Sequence, residues 1–267
     1  MLDLAIIGSG PAALSSAIYA ARAGLSVEVY EKQVFGGALN KIEHIENYPG
    51  FIGKGEELAK VLKSQAEKFG VKLKYGSCES VEPLVIDGEK VEARAILVAT
   101  GTEPRPLDFA VNPPVSYCVA CDGALYQGKN VAVVGGGNSA VQESIHLAKI
   151  VKSLTLICHS SLRAEACLTK KLRNLKNVEI LENIEPTPEK LNNFDAVFVL
   201  IGSRPATKFL PENLCDEQGY VKAENHQTAQ KNLFVAGDVR RGSIHQAISA
   251  AADGAAAARE IINFVHA

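Results

Sequence analysis

The sequence carries the same strand, glycine turn and helix pattern twice, and this repeat constrains the fold more than any other feature. In the first copy, the apolar stretch 4–7 leads through Gly8-Ser-Gly-Pro-Ala-Ala13 into helical spacing, and a strand follows at 26–31. The second copy starts near residue 130, with a glycine turn at 135–137 and a strand at 154–158. Units of this kind are typical of dinucleotide-binding folds, and their repetition predicts two such domains.

We therefore predict an α/β fold with two dinucleotide-binding domains of the Rossmann-like, three-layer ββα kind, the second inserted into the first. Four prolines between residues 104 and 114 predict a linker, because proline cannot continue a helix or a central strand. The return crossing is predicted near residues 220–227, and an alanine-rich helix over 243–265. The predicted boundaries are 1–107 with 222–267 for the first domain and 108–221 for the second.

Size and charge exclude several classes of function. A chain of 267 residues exceeds the usual single domain, which supports two domains. The net charge of −2 disfavours nucleic acid or an anionic membrane as the main partner, because both require a basic patch. No apolar run is long enough to span a bilayer, and no basic stretch precedes the first strand as in a signal peptide. The cytoplasm is the expected location.

The first glycine turn predicts a binding site for a dinucleotide. Gly8 permits the tight turn, and Gly10 lets the backbone approach a pyrophosphate at the helix N-terminus. Glu31 ends the second strand, where an acidic residue can bind a ribose diol. Pro11 and Asp238 favour FAD over NAD, because many flavoproteins have proline after the second glycine and an aspartate near the far end for the ribityl chain.

Among six cysteines, only Cys118 and Cys121 form a close pair. In a reducing compartment a CxxC pair is redox-active or half of a metal site, and the second half of a metal site is missing, so no metal is predicted. A helix start at this pair favours a thiolate, and Asp122 is placed to exchange protons with it or to cap the helix. The remaining cysteines are expected to be buried, and these are Cys78, Cys158, Cys167 and Cys215.

The segment Tyr117-Cys-Val-Ala-Cys-Asp-Gly123 closely resembles the Tyr-Cys-Ala-Thr-Cys-Asp-Gly signature of the low-molecular-weight thioredoxin reductases. Its position just before the second glycine turn also matches that family, and shorter matches are spread along nearly the whole chain. The resemblance implies an FAD-dependent disulfide reductase that works as a homodimer on thioredoxin or a related small dithiol protein. It also implies that the first domain binds FAD and that the second carries the dithiol.

The resemblance implies a role for individual residues. Cys121 would lie nearest the flavin, Cys118 would be the outer sulfur that attacks a protein disulfide, and Asp122 would be the acid–base residue. The residues that it implies in binding FAD are Gly8, Ser9, Gly10, Pro11, Ala12, Glu31, Lys32, Gly37, Ala38, Leu39, Asn47, Gly101, Gly237, Asp238, His245, Gln246 and Ala247.

The segment after the second copy's last strand departs from the family. Relatives have a His-Arg-Arg cluster and a further arginine there, and guanidinium groups bind the 2′-phosphate of NADPH through paired charged hydrogen bonds. Here Cys158-His-Ser-Ser-Leu-Arg163 retains a single arginine. Three electron donors stay open: weakly bound NADPH, NADH held by Ser160, Ser161 and Arg163, or a different donor such as ferredoxin or a deazaflavin. The candidate NAD(P) residues are Gly135, Gly137, Asn138, Ser139, Ala140, Ser160 and Arg163.

Two other functions compete with a reductase. A flavin-dependent dithiol oxidase would pass electrons to oxygen, but such enzymes commonly lack both the nucleotide turn and an aspartate after CxxC. A non-catalytic flavin-binding protein would not need the complete dithiol segment. Asp122 and the intact turn at 135–140 therefore favour the reductase.

Overall fold

The computed structural model describes residues 1–267, which form two compact units. The first unit comprises residues 1–103 and 205–267, and the second comprises residues 104–204. The chain leaves the first unit after residue 103 and returns to it at residue 205. The prediction of an α/β fold in which a second unit is inserted into the first is confirmed.

The first unit is built around a parallel sheet. Up to the crossing, its elements are β1 (Leu2–Ile7), α1 (Pro11–Arg22), β2 (Val27–Glu31), β3 (Ile45–Tyr48), β4 (Phe51–Gly53), α2 (Gly55–Lys68), β5 (Lys72–Tyr75), β6 (Cys78–Val81), β7 (Leu84–Ile86), β8 (Glu89–Lys90), β9 (Ala93–Val98) and β10 (Thr102–Pro104).

The second unit repeats this pattern, and the chain then returns to the first. The elements of the second unit are β11 (Val115–Ser116), α3 (Val119–Asp122), β12 (Asn130–Val134), α4 (Asn138–Leu147), β13 (Ser153–Cys158), α5 (Ala166–Arg173), β14 (Val178–Glu182), α6 (Pro188–Leu191), β15 (Ala196–Val199) and β16 (Ser203–Pro205). The first unit is completed by β17 (Leu233–Val235) and α7 (Ala247–His266).

In the first unit, five parallel strands lie in the order β17-β9-β1-β2-β5. Side chains alternate between the two faces of a strand, so Leu4 and Ile6 pack on the helical face while Ala5 and Ile7 pack on the opposite face. Burying one such large apolar side chain contributes roughly 1.5–3 kcal/mol. The three-stranded antiparallel sheet β6-β7-β8 covers the second face, which completes three layers.

The final helix α7 packs closely against α1. At Gly254 an added Cβ would lie 2.0 Å from the carbonyl oxygen of Ala12, so only glycine allows this approach. The predicted helix over 243–265 begins instead at Ala247, with Gln246 as its N-terminal capping residue. The close packing brings the C-terminal part of the chain to the first glycine turn.

In the second unit, five parallel strands lie in the order β11-β15-β12-β13-β14. Helices α3, α4 and α5 cover one face. The opposite face is covered by residues 107–111, by Tyr117 and by α6, where the first unit has its antiparallel sheet. Leu107, Phe109 and Val111 are therefore packed parts of this unit, which corrects the prediction that 104–114 is a linker.

The boundaries predicted at 107 and 222 differ from the observed ones at 103 and 205. Residues 205–221 pack with the first unit because Leu210, Leu214 and Val221 are buried in its core. The chain returns at β16, and residues 220–227 form only isolated β-bridges. None of the helices has both the length and the apolar character required to cross a membrane.

Candidate functional site

The first glycine turn leaves a helix N-terminus open to a ligand. Gly8 has φ +100°, and an added Cβ there would lie 2.5 Å from the carbonyl oxygen of Ala99, so the position requires glycine. Gly10 caps α1 without a side-chain hydrogen bond, and an added Cβ there would meet no atom within 4 Å. No acidic residue lies in the first turn of α1, so its free N–H groups are open to an anion.

Glu31, the last residue of β2, is fixed beside this turn. The Ser9 hydroxyl donates a 2.6 Å hydrogen bond to its carboxylate, and the backbone N–H of Gln33 donates another at 2.9 Å. Ser9 is itself buried and accepts a hydrogen bond from the N–H of Gly36 at 3.1 Å. The structure thus brings two predicted residues, Ser9 and Glu31, into direct contact.

The chain after β2 returns to the same turn. Gly37 has φ +56°, and an added Cβ there would lie 3.1 Å from the Cα of Gly10. Gly37 starts a 3-10 turn that also contains the predicted residues Ala38, which is exposed, and Leu39, whose side chain is buried. Lys32 is exposed and forms an ion pair with Glu103 at 2.7 Å.

Residues from the far end of the sequence join this group. Gly237 follows β17 closely, and an added Cβ there would lie 2.8 Å from the Cβ of Ala12. The next residue, Asp238, has a buried Oδ1 without a hydrogen-bond partner. Burial raises the pKa of Asp238. A buried carboxylate oxygen without a partner indicates a position for a polar ligand group.

The remaining predicted residues fall into three places. The amide of Asn47 donates a 2.9 Å hydrogen bond to the side chain of Gln246, which directly precedes Ala247. His245 is exposed, with its ring centroid 6.0 Å from that of Tyr220. Gly101 has φ +64°, at the point where the chain approaches the crossing.

Taken together, these residues fit FAD. An open helix N-terminus fits the pyrophosphate, a fixed carboxylate at the end of β2 fits a ribose diol, and the buried Oδ1 of Asp238 fits a further hydroxyl group. An added Cβ at Gly10 would project into open space, which is the space that the pyrophosphate would occupy.

The second unit contains the dithiol as a closed disulfide. The sulfurs of Cys118 and Cys121 are 2.03 Å apart. Cys118 caps α3, and the N–H of Cys121 points to its sulfur at 3.1 Å. Cys118 is 8% exposed whereas Cys121 is exposed. In the disulfide form, Cys121 is therefore the more accessible residue of the pair.

A buried serine connects the dithiol to the acid–base candidate. The hydroxyl of Ser116 donates a 2.7 Å hydrogen bond to the Asp122 carboxylate and accepts one from the N–H of Cys118 at 3.1 Å. The Asp122 side chain makes no helix-capping bond, so its partner is Ser116 and the capping alternative is not what the structure shows. Sequence reasoning missed Ser116, because no motif marks a serine two residues before the pair.

The second glycine turn has the backbone geometry of the first. Gly135 has φ +145°, and an added Cβ there would lie 2.3 Å from the carbonyl oxygen of Leu200. Gly137 caps α4 without a side-chain hydrogen bond. Asn138, in the first turn of α4, exchanges two hydrogen bonds with Glu165, which places a carboxylate beside this helix N-terminus.

The loop after β13 folds against this second turn. The N–H of Arg163 donates a 2.8 Å hydrogen bond to the carbonyl of Gly136, while the Arg163 side chain is exposed. Ser160 is half-buried and Ser161 is exposed. Arg173 is paired with Glu182. The turn fits a pyrophosphate, and Arg163 is the candidate residue that supplies a cation toward a 2′-phosphate.

The four other cysteines differ in burial. Cys158 is buried, and its thiol donates a 3.1 Å hydrogen bond to the carbonyl of Gly135. Burial raises the pKa of Cys158 to about 11. Cys78 and Cys215 are half-buried, and burial raises the pKa of both thiols, that of Cys78 to about 11. Cys167 is exposed in the first turn of α5, so the prediction that it is buried was wrong.

Comparisons with known proteins agree with this geometry. Residues 2–254 match the family model described as pyridine nucleotide-disulphide oxidoreductase. The thioredoxin reductase of Bacillus subtilis is 32% identical over an alignment covering 98% of this chain and 94% of that protein. A 34.2 kDa protein in the rubredoxin operon of Clostridium pasteurianum is 35% identical, with 96% of this chain and 95% of that protein covered.

A solved structure of a thioredoxin reductase also matches this chain over its whole length. The thioredoxin reductase of Lactococcus lactis superposes with a TM-score of 0.92 and 28% identity, covering 100% of this chain and 99% of that one. The resemblance that the dithiol segment indicated is thereby confirmed. The chain belongs to the pyridine nucleotide-disulphide oxidoreductase family, among its thioredoxin reductases.

Proposed function

We propose that this protein is a flavin-dependent disulfide reductase that transfers an electron pair to the disulfide of thioredoxin or a related small dithiol protein. The observation that carries the proposal is the Cys118–Cys121 disulfide at a helix start, with the Asp122 carboxylate held next to it by Ser116. Thioredoxin reductases that match nearly the whole chain support this assignment. FAD, when bound, accepts electrons from a donor and can pass them to a disulfide.

The first unit supplies the residues that hold FAD. The N–H groups at the start of α1 bind the pyrophosphate, with Gly8 and Gly10 keeping the turn open. Glu31 binds the ribose diol through a carboxylate that Ser9 and the N–H of Gln33 keep in place. Asp238 offers its buried oxygen to a hydroxyl group of the cofactor. The other predicted FAD residues complete the binding surface.

The second unit supplies the exchange chemistry. An electron pair delivered to the exposed Cys121 sulfur breaks the S–S bond and leaves the second sulfur, Cys118, as a thiolate. The N–H of Cys121 stabilises that thiolate, since it already points to the Cys118 sulfur. Two electrons convert the disulfide to two thiolates. A proton transferred by Asp122 makes Cys121 a thiol, and Cys118 stays a thiolate.

The reduced pair then reduces the partner. Cys118 as thiolate attacks one sulfur of the partner's disulfide and forms a mixed disulfide, which Cys121 resolves to return the closed pair and a reduced partner. Cys118 is buried in the closed form, so this order requires its sulfur to become accessible after reduction. Trapping identifies the attacking sulfur: the single-cysteine variant that retains it forms a stable mixed disulfide with the partner.

One experiment tests the whole assignment. The purified protein is mixed anaerobically in turn with NADPH, NADH, reduced ferredoxin and a reduced deazaflavin, and bleaching of the flavin absorption is followed. We expect a yellow protein that a pyridine nucleotide bleaches, and a Cys121→Ser variant without disulfide reductase activity. The exposed cysteine outside the pair provides the control, Cys167→Ser, which retains activity. A protein that retains no flavin, or an active Cys121→Ser variant, refutes the proposal.

A pyridine nucleotide is the donor that we propose. The turn from Gly135 to Gly137 keeps the backbone geometry of a nucleotide site, and the matched family is named for such donors. Arg163 is the only arginine or lysine in the loop after β13, so we propose NADH, or NADPH bound weakly. Faster bleaching by ferredoxin or a deazaflavin would reject this donor assignment while leaving the reductase assignment intact.

The resemblance also implies a homodimer, and we propose a homodimer and a cytoplasmic location. The chain has a mass of 28.4 kDa, so analytical ultracentrifugation should give twice that mass for the dimer. A monomeric mass at micromolar concentration would contradict the dimer. The redox-active pair is suited to a reducing compartment, where partner thiols are kept reduced.

A further inference from the structure

Three charged side chains meet beneath the turn that carries Asp238, and we call them the Asp253 cluster: Asp253 of α7, Arg240 and His226. None was a candidate in the sequence. Asp253 is the only charged residue in the alanine-rich part of α7, residues 247–258, and the other two lie in irregular segments of the chain.

The Asp253 carboxylate is the centre of the cluster. It accepts a 2.7 Å hydrogen bond from the backbone N–H of Gly237. The guanidinium of Arg240 donates two more, at 3.0 and 2.7 Å, and Nε2 of His226 lies 3.1 Å away. A single carboxylate thus ties α7 to the turn, to the segment after the turn and to the buried His226.

The groups around it keep Asp253 ionised. Burial opposes ionisation, but the hydrogen bonds from His226 and Arg240 outweigh it and hold the pKa of Asp253 well below its usual range. The other ring nitrogen of His226 lies 2.7 Å from Glu260, so the imidazole is enclosed by two carboxylates. The cluster therefore combines charge with directed hydrogen bonds, and a neutral replacement cannot reproduce it.

The turn depends on this support. Gly237 has φ +79° and lies against Ala12, so its position relative to the first glycine turn is tightly limited. The adjacent Asp238 has no hydrogen bond to hold its Oδ1. The position of its carboxylate therefore depends on where the backbone holds residue 238, and that backbone is anchored by the bond from the Gly237 N–H to Asp253.

We infer that Asp253 is a positioning residue for the flavin: through Gly237 it holds Asp238 in the orientation that binds the cofactor. The inference rests on the proposed function, because it requires that Asp238 contacts FAD. Asp253 acts through Asp238, so its effect on FAD binding disappears once the Asp238 carboxylate has been removed.

The test is a double-mutant cycle on FAD binding to the apoprotein, measured by quenching of flavin fluorescence. We expect Asp238→Asn and Asp253→Asn each to raise the dissociation constant by about tenfold or more, because each removes a hydrogen bond to a charged group. The double variant is expected to bind like Asp238→Asn alone. Multiplying effects would show that Asp253 acts independently of Asp238 and would overturn the inference.

A matched control separates positioning from general stability. Asp3, in the same unit, accepts hydrogen bonds from the N–H and hydroxyl of Ser26 and from Arg94, and its pKa is also lowered, mainly by the bond from the Ser26 N–H. Asp3→Asn should lower the thermal stability but leave the dissociation constant of FAD within about twofold. An equal loss of affinity in this control would overturn the inference.

Two further outcomes can be distinguished from a failure of the inference itself: no contact between Asp238 and FAD, and a variant that does not fold. If Asp238→Asn binds FAD as tightly as wild type, the proposed contact of Asp238 fails, whatever Asp253 does. If Asp253→Asn does not fold, as judged by circular dichroism, Arg240→Gln replaces it in the double-mutant cycle. Arg240→Gln removes two of the hydrogen bonds to Asp253 and keeps the bond from Gly237. We expect weaker FAD binding that is again not additive with Asp238→Asn, and additive effects would overturn the inference.

Discussion

The two glycine turns of this protein share a backbone and differ in what surrounds it. At Gly8 and Gly135 an added Cβ would collide with the carbonyl of a neighbouring strand's end, at 2.5 and 2.3 Å. Both turns lead into a helix without a side-chain cap and without an acidic residue in its first turn. The backbone condition for binding a pyrophosphate is therefore met twice.

The difference lies at the end of the second strand of each unit. In the first unit that strand ends in Glu31, whose carboxylate is fixed by Ser9 and the N–H of Gln33. In the second it ends in Cys158, whose thiol is bonded to the carbonyl of Gly135, and a loop with one exposed arginine follows. The comparison teaches that the turn provides a general site for a dinucleotide, whereas the strand end selects which one binds.

The largest effect is expected from breaking either turn. Gly8→Ala and Gly135→Ala combine a positive φ with a collision against backbone, so each should lower the free energy of unfolding of its unit by at least about 2 kcal/mol. Gly8→Ala should lose FAD, and Gly135→Ala should retain FAD but lose reduction by the nucleotide. Gly24→Ala is the control, since Gly24 has φ +86° but open space around it. Absorption spectra and thermal unfolding measure both effects, and loss of FAD in Gly135→Ala would contradict the comparison.

A smaller effect on FAD binding is expected at Glu31, where β2 of the first unit ends. Glu31→Gln removes the charge that accepts the bond from Ser9, so the dissociation constant of FAD should rise by about 10- to 100-fold. Glu28→Gln on the same strand is the matched control, because Glu28 is also buried but bonds to Tyr30 and Lys74. Fluorescence titration of both apoproteins with FAD measures the two dissociation constants. An equal loss of FAD affinity in both variants would show that Glu31 acts only through stability.

The selectivity of the second unit is expected to shift when a guanidinium is added. Ser160→Arg should raise the preference for NADPH over NADH by about tenfold, since two parallel charged hydrogen bonds to a phosphate become possible. Ser160→Lys should raise it less, because an ammonium lacks the planar fork. The ratio of kcat/KM for the two nucleotides is the measurement, and an unchanged ratio in Ser160→Arg would place the ribose elsewhere.

The smallest effect is a pH dependence confined to the first unit. Hydrogen bonding to Asp253 raises the pKa of His226, so the stability that its charge contributes is fully present below the ordinary histidine pKa. That stability is lost as the pH rises through the raised value. We expect the melting temperature of the first unit to fall over this range in wild type and to be flatter in His226→Gln, as followed by calorimetry. A steeper fall in the variant would reverse the assigned sign.

Some parts of this picture were accessible from sequence and others were not. The pair at Cys118 and Cys121 was recognisable because redox chemistry requires two cysteines at this spacing. The hydrogen bond from Ser116 to Asp122 was not recognisable from the sequence, since a serine in a strand has many possible partners. The segment 205–221 was assigned to the wrong unit because its buried leucines do not reveal which core they enter.

The sequence by itself determined where both turns, their flanking strands and the dithiol lie, because these depend on local sterics: glycine at a positive φ, alternation along a strand and close spacing of two thiols. Only the tertiary structure decided that Ser9 contacts Glu31, that Gly237 lies against Ala12 and that Asp253 anchors the turn before Asp238. These contacts join residues that are distant in sequence, or that depend on how a helix packs. No local pattern encodes them, and only the folded arrangement of sheet and helices places the groups within hydrogen-bond distance.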